Sequence, residues 1–80
     1  MIHARNDYNR IQDPENKIGE DEPVFLLRAK DKTAPRIVRE WANEQIKEAN
    51  PDKKVAELAF AHADRMEKWQ EENGCKLADV

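Results

Sequence analysis

The chain has 80 residues, is 39% charged and 39% hydrophobic, and carries a net charge of -3. This length supports one small core, and its apolar content excludes wholesale disorder. Cys75 stands alone, so no internal disulfide forms; His3 and His62 lie far apart without zinc spacing, so no metal or other cofactor is expected. The acidic balance argues against direct DNA or RNA binding, which needs a broad basic face.

In chain order, residues 1–22 read as a polar N-terminal arm, with Pro14, Gly19 and several turn formers. Order is expected there at most near Tyr8 to Ile11. Residues 23–80 read as a small helical domain, and the two parts make a single domain. Pro23 opens the short apolar run Val24, Phe25, Leu26 and Leu27, an extended segment or strand. It has two possible places: across the helices that follow, or paired with a copy of itself in another subunit.

Thr33-Ala34-Pro35 is the best helix-start signal, with Thr33 as N-cap and proline in the first turn, where its missing N–H has no partner to lose. The spacing of Ile37, Val38, Trp41, Ala42, Ile46 and Ala49 predicts a helix over 34–49. Asn50 and Pro51 then end it and start a second helix over 51–72. Val55, Leu58, Ala59, His62, Met66 and Trp69 form the stripe of this second helix, and Asn73-Gly74 is its stop. So short a connection predicts an antiparallel helical hairpin. Trp41 and Trp69 should dominate the buried area, at roughly 150–250 Å² each. Two helices alone cannot cover both, so a third surface is needed. Residues 23–29 would supply it. The fold class expected is mainly α, a hairpin with an extended arm and at most one short strand, assembled as a homo-oligomer because a chain of this size lacks other staples. No long apolar run or secretory segment is read, so the expected setting is the cytoplasm, without a membrane; a free cysteine fits that reducing compartment.

Charge is unevenly spread. Residues 23–39 hold five cations against Asp31, a local +4, whereas 1–22 sum to -3 and 40–50 and 51–80 to -2 each. A cationic turn ahead of unpaired helix N–H groups can hold an anion, which nominates Arg28, Lys30, Lys32, Thr33 and Arg36 as ligand-binding residues. Tyr8 and Arg10 join them if the arm of one subunit closes over the turn of another, with the ring stacking on a base. The competing reading makes Thr33 a simple cap, the cations a wet face pairing with Glu20, Asp21 and Glu22, and Tyr8 a pin for the arm. There is no glycine-rich loop of the nucleotide-hydrolysing kind. His62 reads as a core residue, and Cys75 lies beyond a helix stop without a thiolate-stabilising setting. No catalytic residue is nominated, and the chain is read as a non-enzyme.

The segment Ile11-Gln12-Asp13-Pro14-Glu15-Asn16-Lys17-Ile18, followed by Asp21-Glu22-Pro23-Val24-Phe25-Leu26-Leu27-Arg28-Ala29-Lys30-Asp31, resembles small proteins encoded by phages and prophages. The resemblance runs over about 10–70, through a Trp-containing helix and a later one ending in Met-Glu-Lys-Trp. It implies a setting in the host cytoplasm and no assigned chemistry. Small phage accessory proteins commonly counter host defence, some by binding an immune nuclease and others by sequestering nucleotide messengers between subunits. The expected function is therefore capture of an anionic small ligand, a nucleotide immune signal in particular, without turnover. The alternative is an inhibitor or adaptor of a host defence protein that anchors through Phe25, Trp41 or Trp69.

Overall fold

A computed structural model of the chain describes residues 1–4, 11–48 and 53–77. Its elements are β1 (Ile2–His3), β2 (Pro23–Val24), α1 (Ala34–Lys47) and α2 (Lys54–Asn73). The fold is small and mainly helical, with α1 and α2 packed on each other.

α1 begins where the Thr33-Ala34-Pro35 signal places it, but the cap differs from the expected one. Thr33 adopts helical backbone angles (φ -86°, ψ -10°), and its side chain makes no capping bond. Side-chain capping needs the extended backbone that this residue lacks. Backbone bonds close the first turn instead: the Ala34 N–H donates to the Asp31 carbonyl (3.0 Å) and the Ile37 N–H to that of Thr33 (3.2 Å). α2 starts at Lys54, later than the 51–72 expectation; Lys53 holds the cap position, its carbonyl accepts from the Glu57 N–H (2.9 Å), and its side chain has no oxygen with which to cap. Asn50 and Pro51, expected as cap and first residue, lie outside the described residues, as does Ala49. The far end follows the sequence. Gly74 stops α2 with φ +81°, a backbone region open to glycine, and its N–H donates to the Gln70 carbonyl (2.7 Å).

The buried core is made of Ala34, Ala42, Ala56 and Ala63 with Met66, and Pro35 is buried beside them. Neither tryptophan dominates it: Trp41 is 49% exposed and Trp69 39%. The apolar arc of each helix is wider than its contact with the other, and the small residues occupy the contact. Arg39 of α1 ties the helices at the surface, donating to Asp64 (2.9 Å) and Glu67 of α2. Those bonds, Glu67 first and Asp64 second, raise the pKa of a guanidinium already charged at every ordinary pH. Solvent screening at the surface keeps the contribution of such a pair small.

The extended run pairs with a segment that carries no strand signal of its own. β1 and β2 form a two-stranded parallel sheet with Ile2 opposite Pro23 and His3 opposite Val24. The Ile2 N–H donates to the Glu22 carbonyl (2.8 Å), and the Met1 ammonium group to those of Gly19 and Glu20. Pro23 sits at the start of its strand, the position where a missing N–H does least harm. The motif at 11–18 forms a tight turn. The Asn16 N–H donates to the Asp13 carbonyl (3.0 Å), while the Asp13 carboxylate accepts from the N–H groups of Lys17 and Ile18 (2.9 Å each). Proline second in the turn and Asn16 at φ +54° suit it.

Candidate functional site

Residues 29–32 are fastened by backbone. Gln70 of α2 donates its amide to the carbonyls of Ala29 (2.8 Å) and Asp31 (3.0 Å). The tail returns past Gly74 so that Lys76 accepts from the Lys32 N–H (2.8 Å) and donates its own N–H to the Lys30 carbonyl (3.0 Å). The nominated cations thus sit on a well-held turn at the start of α1. Their side chains face outward: Arg28, Lys32, Thr33 and Arg36 are exposed and Lys30 is half-buried. Tyr8 and Arg10, the other two nominated residues, lie outside the described residues.

A concavity among the described residues lies elsewhere. A groove of about 570 Å³ runs along one side of the helical pair. α1 contributes Ile37, Val38 and Trp41, while α2 contributes Val55, Leu58, Ala59 and His62. Leu27, from the segment after β2, reaches one end of it. A second depression of about 240 Å³ shares Leu27 and His62 and continues to Met66, Trp69 and Arg65. Together they make one long apolar face. None of Arg28, Lys30, Lys32, Thr33 or Arg36 lines either depression.

Of the stripe expected to be core on α2, Met66 is buried, whereas Val55, Leu58, Ala59 and His62 form the wall of an open groove. Leu58 is 71% exposed, Val55 and Trp41 are nearly half exposed, and Phe25 stands out at 72%. The signal lay in the sequence as an excess of large apolar side chains over what two helices can cover. Residues 23–29 supply only part of the missing cover, through Leu27.

His3 Nδ1 is buried and has no hydrogen-bond partner among the described residues. Cys75 is a free, exposed thiol. Among the described residues no three or more His, Cys, Asp or Glu side chains group so as to hold a metal ion. No described helix is long and apolar enough to cross a membrane. In comparisons with known proteins, no family model, no curated protein and no solved structure matches this chain.

Proposed function

We propose that this protein acts by docking on another polypeptide through the apolar groove between α1 and α2, without chemical turnover. The groove itself carries the reading: large side chains stand open to water along two packed helices, where an amphipathic helix would lay its apolar face. Burial returns roughly 25 cal/mol for each Å² of apolar surface withdrawn from water, so covering this face gives a partner its binding energy. Trp41 is the anchor, since a half-exposed indole beside Leu58 and Val55 has the large contact area that such sites concentrate in few residues.

The helices form an antiparallel hairpin in this reading. In support, Arg39 within α1 meets Asp64 and Glu67, while Gln70, further along α2, reaches back to Ala29 and Asp31 ahead of α1. Docking is preferred to sequestration of an anion because a nucleotide would find the nominated cations outside both depressions and mostly apolar walls, with His62 among them, within the groove. For a phage-encoded protein in an infected cell, the corresponding activity is inhibition or recruitment of a host defence protein.

The test is capture from a bacterial extract followed by reconstitution with each captured polypeptide in pure form. Leu58→Glu should abolish the reconstituted association, and a Lys30→Ala/Lys32→Ala variant should retain it. A saturable thermal shift with one of a panel of cyclic and linear nucleotides, lost in the lysine variant and kept in Leu58→Glu, would instead establish sequestration.

A further inference from the structure

We infer that Asn73-Gly74 is a self-modification site, at which the asparagine amide converts spontaneously to a carboxylate at a rate set by the end of α2. Nothing in it depends on what occupies the groove. The identity of the pair, the bonds that hold both reacting groups and the path of the chain beyond them carry it.

Asn73 is the only asparagine of the chain followed by glycine. The reaction needs no enzyme and no reagent but water. The Gly74 main-chain nitrogen attacks the Asn73 side-chain carbonyl carbon, so that an N–Cγ bond forms and the Cγ–Nδ2 bond breaks. The proton lost by the Gly74 nitrogen leaves with the amide nitrogen as ammonia. A cyclic imide results, and water then opens it. Opening at Cγ gives aspartate; opening at the main-chain carbonyl carbon gives isoaspartate, in which the backbone runs through the side chain. Glycine favours the attack because no Cβ shields its nitrogen. A Cβ placed on Gly74 would meet nothing within 4 Å, and Asn73, Gly74 and Cys75 are exposed, so water reaches the pair.

In the folded chain both reacting groups are engaged. The Gly74 N–H donates to the Gln70 carbonyl (2.7 Å), and Asn73 Nδ2 donates to the Trp69 carbonyl (3.0 Å). Asn73 is also the last residue of α2, and its helical backbone aims the Gly74 N–H back along the helix. Attack requires both bonds to open and Asn73 to leave the helix. Helix ends open more readily than helix interiors, so conversion proceeds through fraying, at the unfolded-chain rate scaled by the open fraction.

The product does not fit as the asparagine did. A carboxylate cannot donate to the Trp69 carbonyl. It also adds negative charge at the negative end of the helix dipole, in a last turn that has no cation and already holds Glu71 and Glu72. Isoaspartate lengthens the main chain just ahead of Lys76, whose N–H and carbonyl hold Lys30 and Lys32. Conversion is therefore a one-way loosening of the fastening at residues 30–32.

Ageing the full chain in warm, mildly alkaline buffer, followed by mass spectrometry of its proteolytic fragments, tests this. The fragment with Asn73 should convert first, to isoaspartate and aspartate. The folded chain should convert about tenfold more slowly, or more slowly still, than the same chain unfolded in urea. Converted protein, separated by ion exchange, should exchange the Lys32 and Lys76 amide protons faster and melt at a lower temperature. Asn73→Gln, which would have to close a larger ring, should age without either change. Earlier conversion at another asparagine, or no conversion in urea, overturns the site. Equal rates in the folded and unfolded chain overturn the control by the helix end. Unchanged exchange at Lys32 and Lys76 in converted protein overturns the loosening.

Discussion

Where α1 and α2 meet, the buried residues are alanines with Met66; on the groove side stand Trp41, Val55 and Leu58, each at least two-fifths exposed. The two regions come from the same two helices and share one apolar arc. Small side chains occupy the contact between the helices, which places the larger ones beside it instead of inside it. The contact region thus defines the shape of the chain, and the groove region holds the unspent apolar surface. A substitution should therefore be judged by which side of the arc it touches, more than by the size of the residue removed.

Stability measured at concentrations where the chain is monomeric should separate the two regions. Met66→Ala, which empties space in the contact region, should cost about 2–5 kcal/mol by denaturant titration. Ala42→Leu overfills the same region and should cost about 1–3 kcal/mol, which in a domain of this size lowers the melting temperature by roughly 4–8 °C per kcal/mol. An equal melting temperature for that variant would mean that the alanine contact is not tightly packed. Gly74→Ala lies outside both regions and should cost about 1–3 kcal/mol from backbone conformation alone, since an added Cβ at φ +81° meets nothing within 4 Å. Arg39→Ala should cost less than any of these in the same titration, and the difference should shrink in high salt. Leu58→Ala should have the smallest effect, within about 0.5 kcal/mol, despite removing a larger apolar group than Arg39→Ala disturbs. A large loss there would show that Leu58 belongs to the core after all.

Both helices were legible because their signals are local and long. Thr33-Ala34-Pro35 and Asn73-Gly74 mark ends through backbone chemistry that survives any tertiary context, and the apolar spacing spans several turns. The division of labour within the arc was not legible. A 3.6-residue period shows that Ala42 and Trp41 are neighbours on a helix and does not say which of them faces the other helix. The pairing of Ile2 and His3 with Pro23 and Val24 escaped for a simpler reason: two residues carry no period. Thr33 misled in a third way. Its position as N-cap was readable from sequence, whereas the backbone angles that withhold its hydroxyl from the helix depend on the turn before it. The charge contrast between residues 23–39 and their neighbours is plain in the sequence; that the cations stand apart from the groove follows only from the packing of Leu27 and the helices.

The return of the chain after Gly74 has a consequence for that cationic turn. Lys30, Lys32 and Lys76 hold one another through main-chain atoms, and Gln70 grips the neighbouring carbonyls, so the fastening is indifferent to what the lysine ammonium groups do. Shape and charge are thereby uncoupled at this corner of the molecule. Replacing Lys32 by a neutral or acidic residue would rewrite the local electric field while leaving the path of the chain where it is.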